Sequence, residues 1–237
     1  MKNKFVVLSD IHFPYQDDKA IKAVYKFLEQ HPVDTIILNG DILDFYDVSS
    51  FDKDPERINS LQKEIDMAQK FFKKLRDSSP NARIVFVKGN HSSRIERYLK
   101  KHPELYSLDV LKLPNLLGLD KFNIEYKDKG FKLGSLKIIH GTIVRKYAGY
   151  TARAEMEKHD CSGISGHVHR LSCYYYRTPE RYLAWYESGC LCDLNPEYVD
   201  NPNWNQGFLY GYVDKDSFAV TPIPIVDGKI KSVFIEE

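Results

Sequence analysis

Along the first third of the chain, short apolar runs alternate with segments whose apolar residues recur at helical spacing. Phe5-Val6-Val7-Leu8 is the first run, Thr35-Ile36-Ile37-Leu38 the second and Arg83-Ile84-Val85-Phe86-Val87 the third. Between the first two, residues 17–29 have helical spacing. Between the second and third, a longer helix is expected from about 55 to 75, with Leu61, Ile65, Ala68, Phe72 and Leu75 on one side. Runs without polar alternation suit strands buried on both faces, so the pattern predicts a βαβ start and a parallel sheet covered by helices. Beyond Phe122 the pieces shorten to residues 122–126, 131–133, 136–139, 172–177, 182–187, 208–213 and 218–225. These read as antiparallel or mixed strands joined by tight turns, interrupted by one helix over 151–158. The stretch 194–206, with Pro196, Pro202 and several Asn, reads as an ordered surface loop or lid, or as a plain connection.

Composition narrows the class. At 237 residues, 43% hydrophobic and 28% charged, the chain suits one α/β domain spanning 1–237. With 34 basic and 33 acidic residues the net charge is +1, which gives no global field for coating a polyanion. Too few apolar residues precede Asp10 for a secretory signal, and no segment approaches the roughly 20 apolar residues of a membrane span, so a cytoplasmic protein without membrane contact is expected. Cys161, Cys173, Cys190 and Cys192 are read as reduced thiols, the last two as a buried pair in or beside a strand rather than a metal or redox site.

The strongest polar clusters fall just after the C-terminal ends of the apolar strands, the edge where open α/β sheets bind ligands. Ser9-Asp10-Ile11-His12 follows the first run, Asn39-Gly40-Asp41 the second and Gly89-Asn90-His91 the third. His140-Gly141 follows 136–139, and Gly166-His167-Val168-His169 follows Gly163-Ile164-Ser165. Asp10 and His12 are two apart, as are His167 and His169, so in extended segments each pair would share a face and grip one ion. Carboxylate, imidazole and amide oxygen together suit borderline to hard divalent ions such as manganese, iron or zinc. Gly40, Gly89, Gly141 and Gly166 are expected to let the backbone approach the ions or the substrate closely.

Taken in order, Asp-x-His, Gly-Asp, Gly-Asn-His, a lone His and Gly-His-x-His resemble the five blocks of the calcineurin-like metallophosphoesterases, over residues 10–169. The resemblance implies a four-layer α-β-β-α sandwich of two mixed sheets flanked by helices. It implies that Asp10, His12, Asp41 and His169 hold one divalent ion, and that Asp41, Asn90, His140 and His167 hold another. Asp41 is then the bridge. Manganese is the foremost candidate, with iron, zinc or nickel open. The resemblance also implies hydrolysis by a hydroxide generated between the ions. Asp41 and His91 are the catalytic candidates, His91 as general acid toward the leaving-group oxygen.

One departure from the family pattern concerns His91: an Asp or Glu often follows this histidine, and Ser92 stands there instead. Asp44 is a candidate replacement, or a plain turn or cap residue. Arg94 and Arg145 are the substrate-binding candidates. The alternatives are a solvated helix charge beside Glu96 and Arg97 for the first, and a solvated loop with Lys146 for the second. Tyr174-Tyr175-Tyr176, Tyr182, Trp185 and Tyr186 form an aromatic-rich hairpin, read chiefly as packing, with base stacking as the alternative. His31, His102 and His159 read as surface or structural residues.

Residues 41–55 and 190–208 resemble the compact metallophosphoesterases of bacteriophages and prophages, which implies a bacterial cytosol. The expected activity is a phosphodiesterase on a nucleotide or nucleic-acid end. A phosphomonoesterase is its rival, and a catalytically silent binding scaffold comes from a different class. A homo-oligomer is left open.

Overall fold

The computed structural model describes residues 2–55, 60–196, 199 and 201–231. The three long apolar runs become β1 (Asn3–Leu8), β2 (Thr35–Asn39) and β3 (Arg83–Val87), separated by α1 (Asp18–Gln30) and α2 (Leu61–Ser78). They pair in parallel, Phe5 beside Thr35 and Thr35 beside Arg83. Successive side chains point to opposite faces. Val6, Leu8, Ile36, Leu38, Ile84 and Phe86 therefore pack in the cluster that includes the helices. Phe5, Val7, Ile37, Val85 and Val87 pack toward a second sheet. Both faces are buried, so the strand sequences show no polar alternation.

Asp17 caps α1, its carboxylate accepting the amides of Lys19 (2.7 Å) and Ala20 (3.0 Å). The second helix starts later than its spacing predicted, at Leu61 behind Ser60, and runs on to Ser78. Pro55 lies ahead of it, and residues 56–59 of the expected range fall outside the described residues. The apolar stripe itself begins at Leu61, and that stripe is what packs.

Three helices lie between β3 and the next strand: α3 (Ser92–Lys101), touched on only by the reading of Arg94 as a helix charge, and α4 (Pro103–Tyr106) and α5 (Leu113–Leu116), which the pattern did not predict. The buried apolar side of α3 consists of Ile95 and Leu99, too few for a periodic signal. Next comes β4 (Ile124–Lys127), parallel to β3. Near the C-terminus β10 (Gly207–Val213), β11 (Phe218–Val226) and β12 (Lys229–Ile230) add antiparallel strands, giving the order β12-β11-β10-β1-β2-β3-β4.

The second sheet uses β5 (Phe131–Leu133), β6 (Leu136–Ile138), β7 (Gly163–Ser165), β8 (Leu171–Arg177) and β9 (Tyr182–Ser188), in the order β5-β6-β7-β9-β8. Its inner face supplies Leu133, Leu136, Ile138, Ile164, Ala184 and Tyr186 to the core between the sheets. Its outer face is covered by α6 (Tyr150–His159), through Ala152 and Met156 against Trp185. Gly149 offers no side chain to cap α6, and the buried carboxylate of Glu187 on β9 takes the Ala152 amide instead (2.8 Å). The result is the four-layer α-β-β-α sandwich that the resemblance implied. Among the described residues, no helix is long and apolar enough to cross a membrane.

Candidate metal centre

The polar segments after β1, β2 and β3 meet those after β6 and β7 at one edge where the two sheets face each other. Five of the seven proposed ligands, Asp10, His12, Asp41, His167 and His169, have φ between +49° and +72°. The extended geometry expected for Asp10/His12 and His167/His169 is therefore wrong. Asp10 and His12 converge through tight left-handed turns rather than through strand alternation, whereas His167 and His169 do not share one site: they fall in separate donor groups. Asp and His tolerate this region better than most residues, yet each non-glycine there carries strain of about 1–3 kcal/mol that its surroundings must hold in place. Here the loop after β1 is pinned to the loop after β2: Asp10 N–H donates to Gly40 O, and the amides of Ile11 and His12 donate to Asp41 O, at 3.0–3.1 Å.

Three of the flanking glycines also act differently from expectation. A Cβ on Gly40 would collide with the His140 ring. A Cβ on Gly89 would collide with the Asp41 carboxylate and amide, and one on Gly166 with Ser9 Oγ and the Asp10 carboxylate. These glycines make room for the ligand side chains themselves.

Hydrogen bonds at the outer ring nitrogens determine which nitrogen faces inward. His140 Nδ1–H donates to Asn39 O (2.8 Å), which turns Nε2 toward Asp41 Oδ2 and Asn90 Oδ1, both at 3.0 Å. His12 Nδ1–H donates to the Asp44 carboxylate (3.2 Å), and its Nε2 lies 3.1 Å from His169 Nε2. His169 Nδ1 faces Cys192 Sγ at 3.8 Å, while its Nε2 sits 3.2 Å from Asp10 Oδ1. That buried oxygen has no hydrogen-bond partner among the described residues. The His167 ring lies 5.3 Å from that of His140, and its amide donates to Asp10 Oδ2 (3.0 Å). Donor atoms of Asp10, His12 and His169 form one group within 4.8 Å, and those of Asp41, His140 and His167 form another.

Donor atoms packed this closely around two carboxylates require positive charge among them, which protons on His140 and His169 or bound cations can supply. Burial alone would raise the Asp41 carboxyl, yet His140 and His91 hold it far below the ordinary carboxylate range. Burial opposes charge on His140 and His169, but Asp41 and Asp10 respectively override it and raise both to about 9. The donor set of carboxylate, imidazole and amide oxygen fits two hard-to-borderline divalent cations, the imidazoles of His12, His140 and His169 being oriented from behind.

Behind this cluster stands Asp44, buried and surrounded by donors. It accepts from His12 and from Arg94 Nη1 (2.8 Å) through its carboxylate, and from His91 Nδ1 (3.1 Å) through its carbonyl. Burial would raise this carboxyl, and the hydrogen bonds of His12 and His91 pull it well below its usual range. Arg94 Nη2 donates to His91 Nε2 (3.0 Å), so this guanidinium is largely covered rather than a solvated helix charge. His91 reaches to 3.9 Å from Asp41 Oδ2. Its burial outweighs the attraction of Asp41 and leaves the imidazole below its ordinary value.

Arg145 and Lys146 are exposed, and neither is among the described residues lining the two clefts beside the cluster. The Arg145 amide donates to Thr151 Oγ1 (3.1 Å) and its carbonyl accepts from Arg170 (2.6 Å), which is loop anchoring. The aromatic hairpin divides as packing predicts: Trp185 and Tyr186 are buried, and Tyr175, Tyr176 and Tyr182 lie exposed on β8 and β9. Cys190 and Cys192 are buried free thiols beside the end of β9. His31 stacks on Phe27 and His159 on Trp185, while His102 ends α3.

Sequence reasoning missed Trp204. Its ring meets that of His169 at 4.2 Å, from within the 194–206 segment, of which residues 197, 198 and 200 lie outside the described residues. Only the reading of that segment as a lid pointed toward it.

The family model for calcineurin-like phosphoesterase matches residues 3–201. The chain is 27% identical to the Gene 54 protein of Mycobacterium phage D29, over an alignment covering 97% of this chain and 96% of that protein. Among solved structures, a Vps29 single mutant from Entamoeba histolytica matches with a TM-score of 0.51 at 15% identity, covering 98% of this chain and 96% of its own. Vacuolar Protein Sorting 29 from Cryptosporidium parvum matches at 0.53 and 12%, covering 97% and 95%. At such identities these two structures speak to the fold alone.

Proposed function

Because the chain belongs to the calcineurin-like phosphoesterase family, we propose that it is a single-domain, metal-dependent phosphodiesterase acting on a nucleotide or a nucleic-acid end in a bacterial cytosol. The observation that carries this reading is the inward convergence of His12, His140 and His169 Nε2 with the carboxylates of Asp10 and Asp41. Asp10, His12, Asp41 and His169 would hold one cation, and Asp41, Asn90, His140 and His167 the other, with manganese the leading candidate. When bound, two such cations draw in phosphate oxygens, offset their charge and acidify water.

The protein's own residues supply the rest. Asp44 fixes His12 and His91 in the orientation that serves the cluster. Arg94, held by Asp44, lends a permanent positive charge beside His91, where a leaving oxygen gathers negative charge. Proton transfer from His91 Nε2 requires that nitrogen to gain a proton, which Asp41 and Asp44 favour and burial and His12 oppose, and to exchange its bond from Arg94 for one to the leaving oxygen. The leaving alkoxide of a diester would benefit from both groups. A phosphomonoesterase would use the same residues.

Parallel assays with manganese on bis(p-nitrophenyl) phosphate and p-nitrophenyl phosphate separate the two activities. The diester is expected to be hydrolysed faster, and a much larger rate on the monoester would reverse the order. Absence of hydrolysis together with absence of tightly held transition metal in elemental analysis would leave a binding scaffold.

A further inference from the structure

On the His91 side of the cluster lies a cleft of about 380 Å³. His12, His91 and His169 form its polar floor, and Trp204, Tyr46 and Phe51 supply aromatic walls. Sites for small molecules commonly have this make-up, apolar walls with a few convergent polar groups, in cavities of about 300–1,000 Å³.

Phe51 is 64% exposed, an unfavourable place for a phenyl ring that the core does not use. Its ring lies 5.6 Å from the Arg94 guanidinium, so the anchored cation and the exposed ring stand together at this cleft. Trp204 braces against His169 at 62°, fixing the indole at the rim of the candidate metal centre. Cations and Arg94 account for a phosphate. Trp204 and Phe51 have no use for one, whereas Tyr46 is buried and engaged by Asp52, Asp54 and Lys53.

We infer that this cleft receives the nucleobase of the leaving-group nucleotide, stacked on Trp204 and covered by Phe51, an assignment that rests on the phosphoesterase reading above. The leaving side is indicated because His91 and Arg94 line the same cleft. Stacking of this kind favours any planar base over a bare sugar phosphate, by about tenfold or more per base.

The chain has two tryptophans, and Trp185 is fully buried beneath α6, so ligand-dependent emission reports on Trp204. Manganese-supplemented full-length protein is mixed with adenosine 5′-monophosphate in a stopped-flow fluorimeter and read before turnover, with ribose 5-phosphate and inorganic phosphate as competitors. Adenosine 5′-monophosphate should quench emission and bind about tenfold more tightly than ribose 5-phosphate. Trp204→Phe should abolish the quench. Phe51→Ala, at an exposed position, should bring the nucleotide's affinity toward that of the sugar phosphate. Equal affinities for the two in the unsubstituted protein, or emission blind to the nucleotide, would overturn the inference even if diesters are hydrolysed. Nucleotide stacking without any hydrolysis would instead overturn the proposed function alone.

Discussion

Two imidazoles and a guanidinium share one buried residue, Asp44. Groups that orient metal-binding imidazoles from behind are worth about 10–100-fold in metal affinity or activity. Asp44→Asn should therefore lower manganese affinity and kcat on the diester by about that range, while circular dichroism shows the fold retained. Unchanged kcat and metal affinity would reduce Asp44 to a turn residue. The identities of the converging side chains were legible in the sequence, because each sits a few positions beyond an apolar run. Their backbone was not legible: left-handed φ at Asp10, His12 and His167 is dictated by the neighbouring loop, which a pattern along one segment does not contain. Trp204 was illegible for the same reason, since its partner His169 lies 35 residues earlier in the chain.

Elements show where burial changes chemistry. Glu64, in the first turn of α2, is buried and accepts the Phe45 amide (2.8 Å), tying that helix to the loop that carries Asp41 and Asp44. Burial raises its carboxyl from 4.5 to about 8. The unfolded chain releases this proton near pH 4.5 and the folded protein keeps it until about pH 8, so the group favours folding below that window and its contribution is lost as pH rises across it. The slope should approach about 1.4 kcal/mol per pH unit. Urea titrations at pH 5 to 8 should show that decline, and Glu64→Gln, which can still accept the Phe45 amide, should lessen it, the remainder above pH 6.5 belonging to His140 and His169. A variant with an unchanged slope would place the pH dependence elsewhere. Strands buried on both faces announced themselves as unbroken apolar runs. In contrast, α3 to α5 offered only scattered apolar residues, because one side of each leans on a core supplied by other segments.

For the molecule as a whole, the candidate ligands come from both sheets: Asp10, His12, Asp41 and Asn90 follow strands of the seven-stranded sheet, and His140, His167 and His169 follow strands of the other. Cations held there would stabilise the folded chain selectively. At about 100 times its Kd, manganese should add about 2.7 kcal/mol. For a chain of 237 residues that raises Tm by about 5–10 °C in a calorimeter, reversed by chelation. An unmoved Tm would show that the cluster binds no such ion. The four-layer arrangement could be anticipated only through the resemblance, since short strands do not reveal which sheet they join.

Ligands split between two sheets make the packing of Phe5, Val7 and Leu136 a caliper for the reaction centre. Trimming one of those side chains, well away from any phosphate, would let one jaw settle against the other. The span between the ligands of one sheet and those of the other would change with it, and metal affinity and turnover would fall in a protein that had lost no reactive group.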